Sequence, residues 1–264
     1  MSIGKLIGRG RVAEVYAWGD RDVLKLFFEG YATENVAQEV AAARVVHAVG
    51  LPTPAVGEVI SFNNRHGIIF ERLYGPSMLA EMSAKPWKVL HFARLLADLQ
   101  VAINSHTASG LPSQRLKLQQ SINSVSTLPV ERRYAALRAV QDLPEANALC
   151  HGDFHPGNVV MSQSGAMIID WTTATSGDPL VDVARTSLLL RLGELPPGIP
   201  LITRVLVTIG RKLFHAAYMR RYSKLRPATR RVIAAAQLPV AASRLAAGIP
   251  GERSKLLQII QSPA

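Results

Sequence analysis

Three short runs, apolar or alternating apolar with polar, open the chain: Ile3 to Ile7, Val12 to Trp18 and Val23 to Phe28. Gly8, Gly10, Gly19 and Asp20 separate them, and that punctuation predicts hairpins. A helix is expected from Thr33 to Val49, with Thr33 as cap, Glu34 in its first turn, and Gly50, Pro52 and Pro54 as its stop. Val56 to Phe62 and Gly67 to Arg72 read as two further strands around a polar turn at Asn63 to His66. The predicted order is β-β-β-α-β-β: an antiparallel five-stranded sheet with one helix.

Tyr74-Gly75-Pro76-Ser77 reads as a hinge, after which the pattern becomes helical. From Trp87 to Ile103, apolar residues at three- and four-residue spacings (Leu90, Ala93, Leu96, Ala97, Ile103) predict one apolar helix face packed in a core. Further helices are expected over 113–143, broken near Pro129. Ala148 to Cys150 and Met167 to Ile169 are brief apolar runs, and Asp178-Pro179 marks a helix start. The expected division is residues 1–73 and 74–264, the latter ending in a basic helical tail from 195.

Charge sharpens that division. The net charge is +11 over 264 residues, yet acids and bases cancel as far as Glu194. The remainder holds 12 Lys and Arg against the single acid Glu252, with Arg204, Arg211, Lys212, Arg220, Arg221, Lys224, Arg226, Arg230 and Arg231 close together. Such a run suits a solvated helix face or an anionic partner, nucleic acid included. The single cysteine, Cys150, excludes an internal disulfide and fits a reducing compartment. No apolar run reaches membrane-spanning length and the opening residues lack a signal-peptide pattern, so a cytoplasmic protein without a membrane span is expected.

The densest reactive cluster is His151-Gly152-Asp153-Phe154-His155-Pro156-Gly157-Asn158, followed by Ile168-Ile169-Asp170-Trp171. Phosphoryl transfer needs a carboxylate to orient the acceptor hydroxyl and hard oxygens to hold magnesium on the phosphates. Asp153, in a tight loop after a strand, suits the first role; Asn158 and Asp170 suit the second. The spacing is that of the protein-kinase catalytic loop with a different filler. That template also asks for a glycine-rich hairpin, a lysine on the third strand and a glutamate on the next helix. Gly8 and Gly10 (with Ala13 in place of a third glycine), Lys25 and Glu39 meet it, Glu34 being the weaker choice for the glutamate. His155 and Cys150 are expected to pack.

In these motifs the chain resembles the aminoglycoside phosphotransferase and choline kinase-like family of small-molecule kinases, from about Ile3 to Leu190. The resemblance implies an α+β, two-lobed protein-kinase-like fold with a mainly helical C-lobe. It implies ATP and Mg2+ as cofactors, adenine held by backbone groups from Glu71 to Leu73, and a catalytic loop braced by His151 and Asp182. Two departures are Ala13 and Trp171, which follows the metal aspartate where protein kinases have Phe-Gly.

Only 11 residues separate Asp170 from Asp182, no Ala-Pro-Glu follows, and Gly152 replaces the arginine that receives an activation-loop phosphate. A peptide acceptor therefore lacks its platform, and a small hydroxyl compound is expected. The basic tail points to a neutral or anionic acceptor such as a sugar or metabolite. Acids at Glu131, Asp142 and Glu145 keep an aminoglycoside or macrolide open. The reading from another class is a non-catalytic scaffold that binds an anionic partner through its basic helices.

Overall fold

The computed structural model describes residues 3–192, 200–226 and 229–261. The first residues of the expected basic tail, 195–199, and the side chain of Arg230 lie outside the described residues. In chain order the elements are β1 (Leu6–Arg9), β2 (Ala13–Trp18), β3 (Asp22–Phe27), α1 (Thr33–Ala48), β4 (Val56–Phe62), β5 (Arg65–Glu71), α2 (Met78–Ala84), α3 (Val89–Asn104), α4 (Gln114–Ser124) and α5 (Val130–Gln141). There follow β6 (Ala148–Cys150), β7 (Val159–Ser162), β8 (Gly165–Ile168), β9 (Thr175–Gly177), α6 (Pro179–Leu192), α7 (Leu201–Leu225), α8 (Thr229–Leu245) and α9 (Pro250–Gln261).

The chain forms two compact units, and the division does not follow chain order. One runs to Glu81 and regains Pro156–Ala174; the other comprises Met82–His155 and the residues from Thr175 onward.

The first unit is built on a five-stranded antiparallel sheet in the order β1-β2-β3-β5-β4. Its core joins Ala13 and Phe27 of the sheet to Val36 and Val40 of α1 and to Ile68 of β5. Each large apolar side chain withdrawn from water here is worth roughly 1.5–3 kcal/mol. Arg65 ties strand to strand, donating from Nε to Phe27 O at 2.6 Å and from Nη2 to Glu14 at 2.9 Å. The helix starts differently from expectation: Ala32, not Thr33, is its N-cap, and the Thr33 hydroxyl meets His66 Nε2 at 3.2 Å instead.

The hinge is pinned to the β7–β8 hairpin of the same unit. Met161 N donates to Pro76 O at 2.8 Å, and Ser77 bridges Val160. A Cβ on Gly75, at φ 153°, would lie 2.1 Å from Met161 O, so only glycine permits this approach.

The second unit is helical around the short β6–β9 ladder, with α3 against α7 and α8 against α6 and α9. Phe92, Ala93, Leu96, Ala97 and Ile103 of α3 are buried, whereas Trp87 and Leu90, expected on the same apolar face, are exposed. Trp87 precedes α3 in a short 3-10 turn, which takes it off the stripe. On α7 the buried positions are Phe214, Tyr218 and Tyr222, and most of the basic residues point to solvent. Two are used locally: Arg221 pairs with Asp98 at 2.6 Å, and Arg226 donates to Asn104 O. Among the described residues no helix is long and apolar enough to cross a membrane.

Candidate active site

The sequence-predicted site residues fall into two groups, one in each unit. In the first unit the sheet and α1 place Lys25 and Glu39 face to face. Lys25, mid-strand on β3 between Val15 and Ile68, reaches Glu39 Oε1 at 2.6 Å and Asp170 Oδ1 at 3.0 Å. Glu39 is only 2% exposed, and its second oxygen accepts from the Thr172 hydroxyl at 2.8 Å. Thr172 also bonds Asp170 Oδ1 at 2.7 Å. Thr172 escaped sequence reasoning; its place two residues after the aspartate was the only signal.

Burial acts to lower the Lys25 ammonium, but the Asp170 and Glu39 carboxylates outweigh it and its pKa lies above the ordinary lysine value. Burial pushes the Glu39 carboxyl up, with Asp170 adding to it and Lys25 opposing it. One ammonium between two carboxylates leaves the cluster net negative, an environment that favours a divalent cation. Asp170 holds the left-handed conformation, φ 65° and ψ 67°, costly for a residue other than glycine. Neighbouring contacts enforce it: Ile168 N donates to Pro52 O at 2.7 Å, and Trp171 Nε1 donates to Thr53 at 3.0 Å. Asn158, in the 3-10 turn just before β7, accepts at its carbonyl from Ile169 N, the residue before Asp170, at 3.0 Å.

The described residues contain no cluster of three metal-ligating acids, histidines or cysteines. Magnesium shared with phosphates needs only one or two protein oxygens, and the Asp170 carboxylate, 43% exposed, with the Asn158 amide fits that demand.

Gly8 and Gly10 occupy the β1–β2 hairpin, where Gly10 N donates to Ala13 O at 2.8 Å. Neither has positive φ, and a Cβ at Gly8 would meet nothing within 4 Å, so hairpin geometry does not account for them. Ala13, in the third glycine position, is buried. At the end of β5 the amides of Glu71 and Arg72 are committed to Ala55 O and Arg21 O, and the Glu71 side chain accepts from Ala55 N. Leu73 follows directly.

In the second unit the catalytic-loop segment is held from below. Asp182, 1% exposed, accepts from Gly152 N at 2.8 Å, His151 N at 3.2 Å, and Gln100 and Asn104 at 3.1 Å each. Those amides are themselves engaged by the buried Tyr218 and Tyr222 hydroxyls of α7. Gly152 takes φ 77°, and His151 Nδ1 accepts from Asp153 N at 3.3 Å. Cys150 is buried and its thiol is pushed well up by burial, then by Asp182 and Asp178. His155, expected only to pack, has Nε2 3.8 Å from Asp153 Oδ2.

A residue beside Asp153, and the partner that holds it, were not foreseen. Arg244 of α8 puts Nη1 3.5 Å from Asp153 Oδ1, while its Nε and Nη2 form a fork on Glu252 of α9 at 2.7 and 2.8 Å. Arg244 is 8% exposed and Glu252 9%. In the sequence Arg244 is one of the basic residues of the tail and Glu252 its lone acid. Nothing local marks either as inward-facing.

A model of the phosphotransferase enzyme family (APH) matches residues 4–238. The chain belongs to that family. As a member of it, this protein is a phosphotransferase. No curated protein matches its sequence significantly. Solved structures share the two-lobed, protein-kinase-like α+β fold. A thermostable mutant of the aminoglycoside phosphotransferase APH(4)-Ia, in ternary complex with ADP and hygromycin B, is 18% identical over 100% of this chain and 95% of its own, with TM-score 0.67. The aminoglycoside-3'-phosphotransferase of type VIII is 19% identical over 90% and 91%, with TM-score 0.65. Amicoumacin kinase hAmiN, in complex with AMP-PNP, Ca2+ and Ami, is 11% identical over 98% and 86%, with TM-score 0.58.

Proposed function

We propose that this phosphotransferase uses ATP and Mg2+ to phosphorylate a hydroxyl of a small molecule that is neutral or anionic, a sugar or metabolite. The observation that carries the reading is Lys25 held between Glu39 and Asp170. An ammonium fixed in this way suits nucleotide phosphates, and the surrounding negative charge suits the metal. Similar structures were solved with ADP or AMP-PNP, and one with Ca2+, which supports the same nucleotide and metal class here.

Asp170 and Asn158 would hold the metal, which when bound neutralises the charge that develops on the phosphates. Lys25, braced by Glu39, would hold the phosphates, and the Gly8–Gly10 hairpin would cover them with backbone. Glu71 to Leu73 would offer backbone groups to adenine. Asp153 would take the proton of the acceptor hydroxyl, on a loop kept in shape by His151 and Asp182. Nucleic acid is not needed for any of these roles.

A second reading, an antibiotic kinase, is favoured by structural neighbours bound to hygromycin B and streptomycin. The test is ADP release with Mg-ATP against sugars, sugar phosphates, polyols, macrolides, choline-like alcohols and aminoglycosides, with Asp153→Asn as control. Turnover that depends on an acceptor and is lost in the mutant supports the proposal and names the acceptor class. Turnover with kanamycin-like compounds alone moves the conclusion to the second reading.

A further inference from the structure

The 25-residue α7 carries two rows of apolar side chains. One row, Phe214, Tyr218 and Tyr222, is buried in the second unit. The other, Leu201, Ile202, Val205, Leu206, Ile209 and Leu213, is between 48% and 75% exposed. At about 100° per residue the second row forms one stripe, on the side of the helix opposite the first. It is purely aliphatic and runs through the first half of the helix.

The stripe cannot turn inward, because polar contacts of its other face hold α7 in register. The Tyr218 hydroxyl donates to Gln100, the Tyr222 hydroxyl to Asn104 at 3.2 Å, and Arg221 Nε to Asp98 at 2.6 Å. Rolling α7 to bury the stripe would break all three and bring Phe214 to the surface. Every residue from Leu201 to Leu206 is exposed, so among the described residues this end of α7 is a ridge rather than a groove. A contiguous apolar surface rimmed by polar residues marks an interaction site.

Charge selects the occupant. α7 contains no Asp or Glu, and the one acid after Glu194, Glu252, is buried under the fork of Arg244. Lys212, Arg220 and Lys224 are exposed on the side of the stripe, and Arg204 at its margin. A second copy laid stripe to stripe would bring these cations together with no acid of α7 between them. A nucleic acid would use the cations and leave six aliphatic side chains in water. An anionic bilayer uses both: acyl chains close around a ridge, and lysine and arginine stems reach back to the headgroups. No described helix is long and apolar enough to cross a membrane, so α7 would lie along the surface.

We propose that the exposed face of α7 is a docking surface for anionic phospholipid. The helix lies along the bilayer with its aliphatic stripe among the acyl chains and Lys212, Arg220 and Lys224 at the headgroups.

The test uses the full chain and vesicles of phosphatidylcholine, either alone or with about a third phosphatidylglycerol. Flotation reads binding. The anionic vesicles are expected to retain the chain about tenfold or more better than the neutral ones, the advantage shrinking as salt is raised. Leu206→Gln with Ile209→Gln is expected to abolish retention while melting temperature and AMP-PNP affinity hold, since both side chains are exposed. Lys212→Gln with Arg220→Gln is expected to cost about tenfold or more and to flatten the salt dependence. Because Cys150 is buried, a fluorophore on Leu206→Cys reports one site, and its emission should shift to the blue on anionic vesicles.

Retention that is equal on neutral vesicles, or that survives Leu206→Gln with Ile209→Gln, overturns the proposal. So does an equal loss in Leu116→Gln, an exposed leucine of α4 outside the stripe. A chain that stays off both vesicles overturns it too. If that chain is a dimer that Leu206→Gln with Ile209→Gln dissociates, a second copy covers the stripe; if it captures double-stranded DNA instead, the cations serve nucleic acid. No arm depends on turnover, so the kinase reading stands or falls separately.

Discussion

Lys25 Nζ lies 3.0 Å from Asp170 Oδ1, although the two are 145 positions apart in sequence. The contact ties the middle strand of the sheet to the residue after the β7–β8 hairpin, and Glu39 completes it from α1. Removing Glu39 leaves a buried ammonium with one partner that is itself partly in water. Glu39→Ala is therefore expected to lower stability by about 3 kcal/mol and kcat/KM by about a hundredfold or more. Urea unfolding and steady-state kinetics check both.

The same ion pairs give an alkaline limit. The folded Lys25 has a pKa raised above the ordinary 10.5, so folding favours its protonated form. That contribution is fully present below pH 10.5 and is lost as pH rises through the folded value. Thermal melts between pH 9 and 12 should show a decline that is shallower in Lys25→Met.

Asp182 holds four donors at once, two of them backbone amides of the catalytic-loop segment. Asp182→Ala orphans them all in the interior. A loss of about 3–5 kcal/mol is expected, enough to leave little folded protein. Asp182→Asn, which keeps the shape and loses the charge, should fold better; soluble yield and denaturant midpoints distinguish them.

Glu252 acts on Asp153 through Arg244. Without it the guanidinium can turn its fork onto Asp153 and compete with the acceptor hydroxyl. Glu252→Ala is expected to reduce kcat by about tenfold and to leave the KM for ATP within about twofold. A fall in kcat matched by an equal fall in the folded fraction, read by circular dichroism, would point to general unfolding instead, because unfolded enzyme lowers the apparent kcat and leaves KM unchanged.

Cys150 has a buried thiol, its sulfur 3.6 Å from Asp178 O and its pKa well above the usual thiol range. It should be silent to thiol reagents at pH 8 until the second unit unfolds. Its labelling rate in urea then reports that opening; rapid labelling in buffer would contradict the packing.

Much of this was readable beforehand because the decisive patterns are local. Alternation marks β2 to β5, Asp178-Pro179 starts α6, and fixed spacings single out Lys25, Glu39, Asp153, Asn158 and Asp170. Failures came where a distant partner decides. Thr33 left its cap position for His66, Trp87 left the α3 stripe for a 3-10 turn, and β7, never read as a strand, pairs with β8 and carries the hinge. Arg244 and Glu252 were hidden most completely. A charged residue on a helix reads as solvated unless its partner is known, and theirs are each other and Asp153.

That last arrangement fixes when the molecule can become competent. Synthesis proceeds from the N-terminus, and early segments begin to fold before late ones exist. Asp153 emerges long before Arg244, and Arg244 before the glutamate that orients it. A nascent chain halted between Asp182 and Arg244 carries every motif legible in the sequence and still lacks the cation beside Asp153. Translation through α9 is thus the earliest point at which the surroundings of Asp153 are complete.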